Sequence, residues 1–159
     1  MDQEVVKEAV MDMLLELGNI GTGHAATSLS VLFGHAAVTI DVPKTMLYPV
    51  SRFIELLPDP EEEVVCTLRT IEGEVGAIAF LQTMPDALVL ASRLLNQPVH
   101  TLDDLARSAL DEASNIITAS FVNALADLSD LPLVPGVAGM AIGESAAMLN
   151  SILDRKSVV

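Results

Sequence analysis

The feature that most constrains the fold of this 159-residue chain is a pattern that occurs twice, 96 positions apart. The run ELGNIGTGHAATSLS contains Glu16 and Asn19, and the run DEASNIITASFVNAL contains Glu112 and Asn115 at the same spacing. Further identities at this offset include Ile20 and Ile116, Thr22 and Thr118, and Leu29 and Leu125. Such a repeat indicates that one structural unit is used twice. It predicts a single pseudo-twofold domain over residues 1–159, with halves at about 1–98 and 99–159.

Both copies of the pattern lie in runs with the period of an α-helix. In the first run, residues 3–33, the stripe predicted to be buried is Val6, Val10, Met13, Leu14, Leu17, Gly21, Ala25, Ser28 and Leu32. In the second run, residues 101–130, the side chains predicted to point inward are Leu110, Ala113, Ile117, Phe121, Ala124 and Leu128. We expect Thr101 to cap this second helix, with acidic residues in its first turn.

The remaining segments predict short strands and helices. Alternating apolar residues from Val38 to Val42 predict a strand that ends near Pro43, and SRFIELL predicts a short helix. Runs rich in Val, Ile and Leu on either side of Glu72-Gly73 predict a β-hairpin. PDALVLASRLLNQP and GESAAMLNSILDR predict helices, and LPLVPGV a short strand. The whole predicts a two-layer α/β fold built from helix-strand-helix-strand-strand halves, with an antiparallel-rich sheet and two long helices on one face.

The charge balance excludes several classes of partner. Twenty-two acidic side chains stand against eight basic ones, for a net charge of −14. Because the chain has no basic patch that could displace counterions, we expect no nucleic-acid or anionic-membrane partner. The acidic amphipathic start is not that of a signal peptide, and no apolar run approaches the ~20 residues of a membrane span, so we expect a cytoplasmic protein. The single cysteine, Cys66, is expected to be a buried apolar residue.

The Glu-Asn pairs are predicted to be exposed. At 100° per residue, Asp12, Glu16, Asn19 and Gly23 share the helix face opposite the apolar stripe, and Ser108, Glu112, Asn115 and Ala119 share the equivalent face. Beside each pair the surface is flat, because Gly23, Ala26 and Ala119 have little or no side chain. One Glu-x-x-Asn is common by chance and is typical of any solvated helix, whereas two copies on equivalent faces favour a role in binding another protein.

The histidines His24, His35 and His100 lack neighbours at metal-ligand spacing, and His24 is expected to be packed at the edge of the buried stripe.

The segment ELGNIGTGHAATSLS resembles the CheC family of chemotaxis phosphatases, the group that includes CheC, CheX and FliY. Asp12, Glu16, Asn19 and Pro43 match the family signature in the first copy, and Ser108, Glu112 and Asn115 match it in the second. The second copy departs from the pattern, because Ala138 stands where a proline is expected. The family normally continues with two more strands beyond DRKSVV, so the C-terminal strand pair is expected to be missing.

The resemblance implies that the substrate is the aspartyl phosphate of a CheY-type response regulator. It implies that Asn19 and Asn115 orient the attacking water and that Glu16 and Glu112 dock the regulator's lysine. Asp12, Ser108, Gly23, Ala119 and Pro43 would support these residues. The chain would need no cofactor or metal of its own, since Mg²⁺ is expected on the regulator. A non-catalytic alternative is an adaptor that binds the deamidase CheD or phosphorylated CheY, or an interaction module of the flagellar-switch type.

Overall fold

The computed structural model describes residues 3–41, 46, 49–72 and 76–154. Its helices are α1 (Gln3–Leu32), α2 (Met84–Leu95), α3 (Asp104–Ser129) and α4 (Ser145–Asp154), with a short 3-10 helix at Val50–Leu56. Its strands are β1 (Glu63–Ile71), β2 (Gly76–Thr83) and β3 (Pro135–Glu144). The predicted long helices, the hairpin, and the helices α2 and α4 are confirmed. The strand predicted at LPLVPGV begins four residues later than expected and continues to Glu144. No helix among the described residues is both long and apolar enough to cross a bilayer.

The strands form one antiparallel sheet in the order β2-β1-β3. The hairpin pairs Val64 with Thr83 and runs to Ile71 opposite Gly76. The turn at Gly73 lies outside the described residues. β1 is therefore the central strand, and this placement explains why it is the most completely buried of the three.

Side chains of β1 alternate between the two faces of the sheet. Val65 is fully buried in a core formed with α2 and α3, and Thr67 Oγ1 donates a hydrogen bond of 2.9 Å to Ser114 Oγ of α3. Cys66 and Leu68 point to the opposite face, which α4 partly covers. Burial raises the pKa of the Cys66 thiol, as expected for a cysteine that packs as an apolar residue.

The two long helices pack against each other through a close backbone approach. Gly21 of α1 lies so near Phe121 of α3 that a Cβ atom there would meet the ring at 2.8 Å. Leu32, at the end of α1, and Leu105, at the start of α3, line one groove, so the helices run antiparallel. At the 96-residue offset, Gly21 corresponds to Ile117 and Phe121 corresponds to Ala25, so a twofold relation predicts a second contact between Ala25 and Ile117. Ala25 is fully buried and Ile117 is half-buried. The pairing therefore agrees with a pseudo-twofold relation.

Part of the predicted buried stripe of α1 is wrong. Met13, Ser28 and Leu32 are exposed, while Gly18, Thr22 and Leu29 are buried. The reason is that α1 packs mainly on one helix, α3, and small residues permit the approach. Thr22 can be buried there because its hydroxyl donates to the Gly18 carbonyl oxygen at 2.7 Å. On α3, Leu128 is likewise exposed rather than inward-pointing, and the side chain of Val6 lies outside the described residues.

Two local predictions are also corrected. The strand predicted from Val38 is absent over residues 36–41, which pair with neither edge of the three-stranded sheet. Val42 and Pro43 lie outside the described residues. The cap of α3 is Asp103, whose Oδ1 accepts the Ala106 N–H at 2.8 Å, and not Thr101.

Candidate functional site

The first Glu-Asn pair lies on the solvent face of α1. Asp12, Glu16, Asn19 and Gly23 are all exposed, on the side of the helix away from its buried Gly18-Gly21-Thr22-Ala25 stripe. A Cβ atom added at Gly23 would meet no other atom within 4 Å. The predicted exposure of this face is confirmed, and the surface beside Asn19 is open and flat.

The second pair lies on α3, and the prediction that all of its face is exposed is wrong. Ser108 and Glu112 are exposed, while Asn115 and Ala119 are half-buried. Asn115 follows two buried residues, Ala113 and Ser114, which pack α3 against the rest of the fold. The amide of the second pair is therefore reached from a narrower range of directions than that of Asn19.

The polar groups of both pairs have no partner within the described part of the chain. Neither asparagine amide forms a hydrogen bond there, and neither Glu16 nor Glu112 has an ion pair with a basic side chain. A side chain whose hydrogen bonds are all made to water can bind a partner without breaking any hydrogen bond within the protein. All four groups are thus available to an incoming protein.

The antiparallel packing of α1 and α3 separates the pairs along the helix axes. The contact between Gly21 and Phe121 sets the level at which the two helices meet. Asn19 precedes Gly21 by two residues and Asn115 precedes Phe121 by six. Because the helices are antiparallel, these two asparagines lie on opposite sides of that contact. At 1.5 Å per residue the two asparagines are about 12 Å apart along the axis. The two sites are therefore close but distinct.

The other sequence candidates are placed as follows. Pro43 lies outside the described residues. Ala138 is half-buried in β3, opposite Arg69 of β1. His24, His35 and His100 are exposed, so the prediction that His24 is packed is wrong. Among the described residues, no group of three or more His, Cys, Asp or Glu side chains is arranged to hold a metal ion.

Sequence reasoning missed an apolar groove beside the second pair. It holds about 250 Å³ and lies between the end of α1, the end of α2 and the first turns of α3. Its lining residues are Leu32, Leu94, Leu95, Leu105, Ser108, Ala109 and Glu112. The available signal was Leu105, which stands seven residues before Glu112 and so shares its helix face. Only the packing of three helices forms the groove.

Comparisons with known proteins agree with this fold. The CheC-like family model matches residues 10–47, which include the first Glu-Asn pair. The chain is 29% identical over 160 residues to the CheY-P phosphatase CheC of Bacillus subtilis, and the match covers 97% of this chain and 76% of that protein.

Two further similarities involve FliY proteins. The flagellar motor switch phosphatase FliY of Bacillus subtilis is 28% identical over 119 residues, and the match covers 72% of this chain but only 31% of that protein. The crystal structure of Thermotoga maritima FliY superposes with a TM-score of 0.71 at 26% identity, over 84% of this chain and 68% of that one. The resemblance of this chain to the CheC family, indicated by its Glu-Asn motifs, is confirmed by the family model, the relatives and the shared α/β fold.

Proposed function

We propose that this protein hydrolyses the aspartyl phosphate of a CheY-type response regulator. The observation that supports this most directly is the presence of two Glu-Asn pairs at the surface of two packed helices, with no partner for any of the four groups within the described part of the chain. The name of the Bacillus subtilis relative, CheY-P phosphatase CheC, gives the substrate class.

The chemistry needs positioning more than it needs a nucleophile from this chain. An aspartyl phosphate is a reactive mixed anhydride, and catalysis of phosphoryl transfer rests mainly on alignment and charge stabilisation. Asn19 and Asn115 would each accept a hydrogen bond from the attacking water through the amide oxygen, while the NH₂ group donates to the phosphoryl oxygens. Water held in line with the phosphorus then attacks, and the aspartate carboxylate of the regulator leaves.

The glutamates would dock the regulator. Glu16 and Glu112 precede their asparagines by three residues, so each carboxylate lies on the same helix face as the amide it serves. Pairing with a lysine beside the phosphorylated aspartate would fix the distance between the amide and the phosphorus. The Mg²⁺ for this reaction is expected on the regulator, and we propose no metal ligand in this chain.

The test is release of phosphate from a phosphorylated CheY-type regulator by Asn19→Ala, Asn115→Ala and the double variant. We expect each single variant to retain activity from the other site and the double variant to fall to the spontaneous rate of the regulator. Asn150→Ala is the matched control, because Asn150 is an exposed asparagine on α4, outside the motifs. Full activity in the double variant would refute the assignment.

The adaptor alternative predicts a different result. A module that only binds CheD or phosphorylated CheY would leave the rate of dephosphorylation unchanged or lower it by protecting the phosphate. The match to a protein named flagellar motor switch phosphatase supports both hydrolysis and an association with a larger assembly. Measuring binding and phosphate release on the same samples separates these functions.

A further inference from the structure

We propose that the apolar groove beside Glu112 receives an apolar side chain of the phosphorylated regulator and makes the α3 site the tighter of the two docking sites. This inference rests on the proposed function for the identity of the partner. The groove itself rests on the packing of α1, α2 and α3.

The groove and the second Glu-Asn pair form one continuous surface. Ser108 and Glu112 line the groove and also belong to the pair's helix face. Leu105 precedes Glu112 by seven residues, which is about 10 Å along the helix axis. A protein interface of about 800 Å² per partner has a radius of about 16 Å, so an interface centred on Glu112 also covers Leu105.

The size and chemistry of the groove fit a side chain. Its volume of about 250 Å³ is below the roughly 300–1,000 Å³ of small-molecule sites. Its walls are mostly leucine and alanine, with Ser108 and Glu112 as the polar lining residues. This arrangement suits an apolar side chain next to a cationic one, which is the combination required if Glu112 binds the lysine of the regulator.

Exposure of the groove leucines to water is unfavourable in the free protein, and docking would remove that exposure. Leu105 is 56% exposed and Leu32 is 39% exposed, although both belong to helices whose other faces are buried. Apolar surface removed from water at the centre of an interface strengthens binding, whereas the same surface left in solvent contributes nothing.

The first site has a smaller apolar side chain at the position that matches Leu105. At the 96-residue offset, Ala9 corresponds to Leu105 and Asp12 to Ser108. Both are exposed, and the alanine presents less apolar surface than the leucine at the groove. The α1 site therefore offers charge and a flat surface, and the α3 site offers charge together with an apolar contact.

The experiment measures binding to a CheY-type regulator treated with beryllofluoride, a stable mimic of the aspartyl phosphate. Glu16→Lys blocks docking at the α1 site by charge repulsion, so binding then reports the α3 site. In that background we expect Leu105→Ala to raise Kd about five- to tenfold. In the Glu112→Lys background, which leaves only the α1 site, the same substitution should leave Kd unchanged.

Val137→Ala is the matched control, because Val137 is 80% exposed in β3 and lies on the sheet face that α4 partly covers, opposite the face that packs against α2 and α3. It should not change Kd in either background. An unchanged Kd for Leu105→Ala in the Glu16→Lys background, or the same increase in both backgrounds, would overturn the inference. A helical circular dichroism spectrum equal to that of the parent establishes that each variant is folded.

Phosphate release is measured separately, so the two proposals fail in different ways. Binding that depends on Leu105 without hydrolysis would refute the proposed phosphatase activity and retain the groove. Hydrolysis with Leu105-independent binding would refute the groove and retain the phosphatase. Absence of any binding to the beryllofluoride-treated regulator would refute both.

Discussion

Two glycines in the same turn of α1 should respond in opposite ways to the same substitution. A Cβ atom at Gly21 would lie 2.8 Å from Cδ1 and 3.0 Å from Cγ of Phe121, whereas one at Gly23 would meet nothing within 4 Å. Rotation of the ring about its own axis leaves Cγ in place, so Gly21→Ala forces either the side chain or the helix to move. The structure therefore predicts that only one of the two alanines fits.

The magnitudes follow from helix propensity and packing. Alanine in place of a helical glycine stabilises by roughly 0.5–1 kcal/mol. Overpacking a close helix contact costs about 1–3 kcal/mol. We therefore expect Gly23→Ala to raise the free energy of unfolding by somewhat under ~1 kcal/mol, and Gly21→Ala to lower it by ~1 kcal/mol.

Urea unfolding measures this difference. With a slope of about 1–3 kcal/mol per molar urea, the midpoints of the two variants should differ by about 1 M. Phe121→Leu should rescue Gly21→Ala, and a double-mutant cycle between them should give a coupling of about 0.5–3 kcal/mol. Equal upward shifts of both midpoints, with no coupling to Phe121, would refute the packing described for α1 and α3.

Three further predictions concern the cap, the flat surface and the thiol. Asp103→Ala should lower the free energy of unfolding by about 0.5–2 kcal/mol, because the Asp103 carboxylate caps α3. Thr101→Ala should change it little, and thermal or urea unfolding of the two variants tests this difference. In the Glu112→Lys background, Gly23→Ala should weaken regulator binding at the α1 site although it stabilises the fold, and unchanged affinity would show that flatness is not needed there. Burial raises the pKa of the Cys66 thiol above its ordinary value, so the unfolded chain loses this proton first and the free energy of unfolding should fall as pH rises above that ordinary value. Cys66→Ala should flatten that part of the pH profile, and an unaltered slope would contradict the burial.

Local sequence signals determined most of the elements. α1 and α3 are continuous because helical hydrogen bonds join residues four positions apart, and the apolar period appears within one run. The hairpin joins strands that are adjacent in the chain, so turn chemistry and β-branched residues are enough to predict it. The exposure of Glu16 and Asn19 was predictable for the same reason, because a helix fixes which residues share a face.

Contacts between distant segments decided the rest. The alternation from Val38 predicted a strand, but a strand needs a backbone partner and the residues over 36–41 have none in the described chain. Gly18 and Thr22 became interior residues because α3 approaches α1 closely, which no hydrophobicity pattern within α1 reveals. The cap of α3 fell on Asp103 because the geometry of the first turn selects among several nearby polar residues.

The sequence by itself determined that this chain places two Glu-Asn pairs on the outer faces of two long helices. Only the tertiary structure decided how those pairs differ. Asn19 is open, whereas Asn115 is half-buried and stands near leucines contributed by α1, α2 and α3. The physical reason is that a helix face is defined by bonds within one segment, while a groove exists only where separate segments pack.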